Sequence, residues 1–425
     1  MRRVAPLAVF WFLYFGGLGI FFPYYALYLH EDAGLDGTQV GIVLAVLPLI
    51  GIVSQPFWGH VADRSGARSR VLVAITAGAA IGYGALTAAR GFGGFVVLTG
   101  VLAAFAPAVI PVSMSVTFAV LRDAGPHAFG LVRVWGTIGY LVGVAGYPWA
   151  LHHFVPNAGA GEPGLQSMFL ASGVLVGAAA LLGPWLPRHG SVALRAPRGH
   201  WRTLLREPAM LRLLCFTLGG YVFLQGPTGL FPIFVRAHGG DVATVGRMWV
   251  VMLLLEIPLV TLSGAGLARL GARGLLAAGV LAGGLRWTVC ALSDDLTVIY
   301  AVQLLHGVTV TGLLLGGPLY LELIVPEPLR STGQGLLAMV SVGVGGIVSN
   351  AGAGWLLEHG GPNAPFLIGG LGALALGCAV TRILPPPVSP HVAASRTPPG
   401  SAPAGTLGES QMERGGAALP FGDTR

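Results

Sequence analysis

What most limits the folds open to this chain is the series of long apolar stretches that fills residues 5 to 384, broken only by short polar loops. Crossing about 30 Å of hydrocarbon takes roughly 20 apolar residues. Stretches of that kind recur twelve times, near residues 5–29, 38–62, 70–89, 92–121, 129–154, 166–187, 209–235, 243–267, 272–292, 296–325, 332–357 and 363–384. Lipid offers no partner to unpaired backbone groups, so only helices and closed barrels span it. The 67 glycines and 30 prolines do not make a barrel pattern. The expected fold class is therefore an all-α integral membrane protein. With 54% hydrophobic and 10% charged residues, the chain has too few charges to solvate a water-soluble domain of its size.

The chain contains no lysine, so arginine carries the orientation signal. Arg2, Arg3, Arg64, Arg68, Arg70, Arg122, Arg188, Arg195, Arg198, Arg202, Arg206, Arg269, Arg273 and Arg330 fall on one side of the expected spans. Glu31, Asp32, Asp36, Asp294 and Asp295 fall on the other. By the positive-inside rule both termini are cytoplasmic. This distribution accounts for the net charge of +7, which then says nothing of nucleic acid. The first span is too long for a signal peptide, contains Pro23 and lacks a small-residue cleavage site, so it is expected to be retained. Cys215, Cys290 and Cys378 lie inside spans without metal or disulfide spacing.

The spans divide into a half over residues 1–187, a cytoplasmic linker over 188–208 and a second half over 209–384. A Pro-, Ala-, Gly- and Ser-rich tail over 385–425 is expected to be disordered and cytoplasmic. The loop after the second span reads Gly59-His-Val-Ala-Asp63-Arg64-Ser-Gly66-Ala-Arg68-Ser-Arg70. The loop after the eighth reads Gly264-Ala-Gly-Leu-Ala268-Arg269-Leu-Gly271-Ala-Arg273. Matching positions differ by 271 − 66 = 205 and 273 − 68 = 205, an internal repeat in register. In physical terms Gly59 would allow close helix approach, Gly66 a tight turn, and Asp63 a latch to an arginine and a helix end. The first copy resembles the G-x-x-x-D-[RK]-x-G-x-[RK]-[RK] loop of the major facilitator superfamily. That resemblance implies two parallel six-helix halves around a central cavity that opens alternately to either side. The second copy has Ala268 where the first has Asp63, so the latch is expected to be the stronger in the first half.

A charge buried in a span costs several kcal/mol, so each one is a candidate for function. The candidates are Arg133, Glu256, Arg286 and His306. Glu256, Arg286 and His306 stand on three successive spans at compatible depths and could form one buried network. Their order resembles the branch holding oligosaccharide–proton symporters and phenylpropionate-type permeases. The strings Glu256-Ile-Pro258, Arg286-Trp287, Gln303-Leu-Leu-His306 and Gly333-Gln334-Gly335-Leu336 look more like the phenylpropionate and nucleoside-symporter group. So do Phe129-Gly130-Leu-Val-Arg133-Val-Trp135-Gly136 and Tyr14-Phe15-Gly-Gly-Leu-Gly19. The sugar group places a carboxylate three residues after the span-ten histidine, where this chain has Thr309. If a proton is carried, Glu256 or His306 must carry it. Arg133 is either an arginine that snorkels to lipid phosphate or an anion clamp facing the cavity.

Tyr14, Tyr221 and Gln225 are expected to line the cavity, and an aromatic cavity with arginines suits an aromatic carboxylate or a nucleoside. The resulting expectation is a monomeric inner-membrane transporter that takes up a small organic solute, an aromatic carboxylate by preference, by proton symport without a cofactor or metal. A nucleoside or sugar symporter and an efflux transporter are the transport alternatives. A membrane sensor or scaffold is the alternative of another class, and it would want a soluble module that the linker and tail do not offer. No nucleophile, metal cluster or phosphate loop supports an enzyme.

Overall fold

A computed structural model describes residues 5–121, 126–154, 164–186, 201–261 and 263–386. The rest of the expected linker (188–200) and nearly all of the expected tail (387–425) lie outside the described residues, as do the expectations placed on them. Among the described residues every regular element is helical. Ten helical spans are long and apolar enough to cross a membrane: α1 (Ala5–Glu31), α2 (Gly37–Ser65), α3 (Arg68–Ala88), α4 (Gly91–Val120), α6 (Ser167–Trp185), α7 (Pro208–Ala237), α8 (Val242–Leu259), α9 (Arg269–Leu292), α10 (Leu296–Ile324) and α11 (Glu327–Gly360). The 29-residue helix α5 (Pro126–Phe154) and the shorter apolar helix α12 (Ala364–Cys378) complete a set of twelve.

The helices pack in the same pattern twice. In the first half α1 packs on α5 and α6, α3 on α6, and α2 on α4. In the second half α7 packs on α11 and α12, α9 on α12, and α8 on α10, the same pairs displaced by six helices. The loop repeat is visible in the backbone as well: Gly66 and Gly271 both have positive φ, at 63° and 67°, although ψ is 3° at the first and 171° at the second. A side chain would be strained at either position, which is why the turn needs glycine in both copies.

Acidic residues at the opposite end serve as helix caps. Asp36 accepts from Gln39 N at 2.7 Å in a reciprocal capping box, Asp241 from Thr244 N at 2.6 Å, and Asp295 from Thr297 N at 2.7 Å. Partial burial pushes the Asp241 carboxyl up, but the Thr244 hydroxyl and amide and the nearby Arg247 charge outweigh it and hold the group below the usual range.

The halves meet at this acidic end. Glycines bring α2 and α11 into backbone contact: a Cβ on Gly37 would lie 2.9 Å from Gly354 O, and one on Gly41 2.8 Å from Gly354 Cα. Gly37 N donates to Glu358 Oε2 at 2.8 Å, Arg236 Nε lies 2.9 Å from Glu31 Oε1, and α8 packs against α5. The arginine-rich end differs from what its loop implied. Gly59 has no atom within 4 Å of where its Cβ would stand, so it makes no close helix approach in this state. Asp63 pairs at 2.7 Å with Arg68 of its own loop, across the Gly66 turn. Arg64 and Arg269 are exposed, and Arg273 Nη1 donates to Leu384 O at 3.3 Å, tying α9 to the chain just past α12.

Candidate functional site

Two cationic stations lie inside the bundle. The first is built on α5, where Arg133 and Tyr140 stand seven residues apart and so share a face. The Arg133 Cζ lies 5.0 Å from the ring centroid of Trp11 and 4.5 Å from that of Phe15, both on α1. Trp11 is fixed in turn by its indole N–H, which donates to Thr117 Oγ1 at 3.1 Å. Arg133 is half-buried and donates no hydrogen bond to the described residues, so its in-plane N–H groups remain available. It stands among aromatic rings inside the protein, which is not the geometry of an arginine reaching outward to lipid phosphate.

Glu256 faces this station from the other half. Helix α8 breaks at Leu255, because Pro258 has no N–H to give Leu254 and its ring crowds that carbonyl. The chain resumes as a short helix whose first residue is Glu256. Its carboxylate, also half-buried, lies within coulombic reach of both Arg133 and Tyr140 but makes no direct ion pair. Helix α10 comes close here, since a Cβ on Gly307 would stand 2.8 Å from Glu256 N.

The second station lies wholly within the second half. Arg286 is 1% exposed, with Cζ 3.6 Å from the centroid of its neighbour Trp287. Its Nη1 donates to Nδ1 of His306. A guanidinium only donates, so Nδ1 must accept, and neutral His306 carries its proton on Nε2. Gln303 Nε2 reaches Ile299 O at 2.7 Å and Cys290 Sγ at 3.4 Å. Arg286 Nε, Gln303 Oε1 and Trp249 Nε1 are buried without a hydrogen-bond partner among the described residues. Trp249 meets His306 edge-on at 6.4 Å and Phe22 of the first half at 5.6 Å, so it leads from this station to the seam between halves.

The expected network of Glu256, Arg286 and His306 is thus divided. Arg286 and His306 are joined, while Glu256 faces Arg133 across the seam, because the break in α8 starts a new helix at that residue. Tyr14 is also placed differently from expectation: it is 2% exposed and its hydroxyl donates to Ala106 O at 3.1 Å, so it belongs to the core. Tyr221 and Gln225 lie one turn apart on α7, both half-buried and both without a hydrogen-bond partner among the described residues. Sequence reasoning missed Trp11, Tyr140, Trp249 and Cys290. Helical spacing held the signal for three of them: Trp11 precedes Phe15 by four residues, Tyr140 follows Arg133 by seven, and Cys290 follows Arg286 by four.

A family model described as the MFS_1 like family matches residues 4–368. The maltose permease of Geobacillus stearothermophilus is 28% identical over 366 residues, covering 84% of this chain and 88% of that protein. The probable 3-phenylpropionic acid transporter of Escherichia coli (strain K12) is 25% identical over 318 residues, covering 72% and 78%. Among solved structures, the nucleoside transporter NupG superposes with a TM-score of 0.79 at 16% identity, covering 90% of this chain and 99% of that one.

Proposed function

This chain belongs to the MFS_1 like family of membrane transporters for small solutes, and on that premise we propose that it takes up an organic carboxylate, an aromatic one by preference, together with a proton. The observation that carries this reading is Arg133: a guanidinium with unspent donors, set beside two aromatic rings and facing a carboxylate on the other half. A substrate carboxylate can take the in-plane N–H groups in bidentate fashion, while the buried rings of Trp11 and Phe15 hold the guanidinium in place from its faces. Two carboxylates cannot share one guanidinium cheaply in an interior of low dielectric. Glu256 therefore has to accept a proton as the substrate arrives, which ties one proton to one anion. His306 is a poor carrier by comparison, because a proton on Nδ1 would expel Arg286.

The relative named as a 3-phenylpropionic acid transporter supports the substrate class. The arginine-rich end faces the cytoplasm on this reading, so the contacts at the acidic end describe an inward-open state of two rocking halves in the inner membrane. The chain works as a monomer, since each station is complete within it. A polyhydroxylated solute is the second reading. It is favoured by the likeness to a maltose permease and by a carboxylate that can accept from hydroxyls opposite a guanidinium that can donate to them.

Proteoliposomes given an inward proton gradient should accumulate 3-phenylpropionate, and a protonophore should abolish accumulation. Accumulation indifferent to the protonophore removes symport. Uptake of maltose or a nucleoside in its place moves the assignment to the second reading.

A further inference from the structure

A second feature of the bundle has no part in this transport chemistry. At the acidic end, two grooves of about 490 and 460 Å³ run on either side of Arg247 and Tyr300. The first lies between the halves, walled by Pro148 of α5 and Val250 of α8, with His152 and His153 at its rim. The second lies between α8 and α10, walled by Met248, Leu296 and Ala301. Arg247 follows the capping Asp241 by six residues, about 9 Å along the helix, and its side chain turns back toward the helix N-terminus, where the headgroups lie, to reach Thr244. Its side chain is 65% exposed and donates to Thr244 Oγ1 at 3.0 Å, which leaves further N–H groups to give. Asp241 lies 3.9 Å away, but its Oδ1 already accepts from the Thr244 amide and hydroxyl.

We propose that this is a phospholipid site: the phosphodiester sits on Arg247 and the two acyl chains lie in the two grooves. One cation between two mainly apolar grooves, the second with Thr244 and Thr297 in its wall, matches the shape and charge of a diacyl phospholipid. The setting agrees. Trp149 beside the first groove is 58% exposed, on a bundle whose outer surface faces lipid. Trp149 and Tyr300 supply the amphipathic rings that settle at the membrane interface. His152 and His153 stand across the first groove from Arg247, on the other half, where an imidazole N–H can donate to a phosphate oxygen. A lipid seated there touches α5 and α8 together, so it belongs to the state in which this end is closed.

The full-length chain purified in mild detergent tests the site, with retained phospholipid counted by native mass spectrometry. One phospholipid should stay bound to the unaltered protein. Arg247→Gln should reduce its occupancy about tenfold, the loss of one charge-assisted contact. Val250→Trp, which fills the first groove and leaves the charge in place, should reduce it similarly. Thermal unfolding of each variant checks that it is folded. Equal retention in Arg247→Gln and the unaltered protein overturns the proposal. So does a loss in Arg247→Gln alone, which leaves the grooves without a role. Displacement of the lipid by millimolar inorganic phosphate also overturns it, because the site would then be one for a free oxyanion.

Discussion

An arginine placed against aromatic rings keeps its charge and its in-plane donors while its faces are covered by carbon, and that geometry at Arg133 makes definite demands on substitution. Arg133→Ala should weaken carboxylate binding about 30- to 150-fold, the equivalent of about 2–3 kcal/mol for a charge-assisted contact. Arg133→Lys should recover only part of this, because an ammonium has neither the planar fork nor the stacking face. Isothermal titration with 3-phenylpropionate measures both. Glu256→Gln should make binding insensitive to pH, whereas the affinity of the unaltered protein should fall as rising pH strips the proton from Glu256. The same variant should still exchange substrate across the membrane but fail to accumulate it, and counterflow set against gradient-driven uptake separates the two. The identities of Arg133, Glu256, Arg286 and His306 were legible in the sequence because a charge among apolar neighbours stands out. Their pairing was not, since it depends on which helices adjoin and on how the break at Leu255 aims Glu256.

Among the elements, the spans were the most legible feature. Hydropathy places helix ends within a few residues, as at α2, expected over 38–62 and found as Gly37–Ser65. Interruptions inside the spans escaped, because they arise where the i→i−4 ladder fails locally. They include the turn after Phe21 beside Pro23, the break at Leu255 and the π-helical turn over Met339–Val344. The positive φ at Gly66 and Gly271 falls where the loop repeat puts glycine, because glycine reports a backbone constraint directly. Gly59 was misread, since a glycine that permits close approach does not say in which state the approach occurs. The α2–α11 contact belongs to the closed end, and it yields a prediction. Gly41→Leu would drive a side chain into Gly354 and the Asn350 carbonyl, and should shift the protein toward opening at that end. Spin labels at Asp32 and Asp294, read by double electron–electron resonance, should show the longer distance gaining population; an unchanged distribution refutes it.

At the scale of the molecule, the contacts between halves include a few polar ties at the acidic end and an apolar seam that runs from that end to mid-span, where Gly343 meets Ile52. The Glu31–Arg236 pair is part-exposed and worth at most about 1 kcal/mol, a several-fold change in the closed population. Arg236→Glu should therefore open that end modestly, and adding Glu31→Arg should restore it. The same label pair reports both, and failure of the double exchange to restore closure assigns the effect to something other than the pair. The Gly37, Gly41 and Gly354 seam is of another kind, because it is main chain against main chain. Side chains elsewhere in the bundle can diversify without altering that surface, so the residues that choose a solute and the surface that closes over it are free to evolve at different rates.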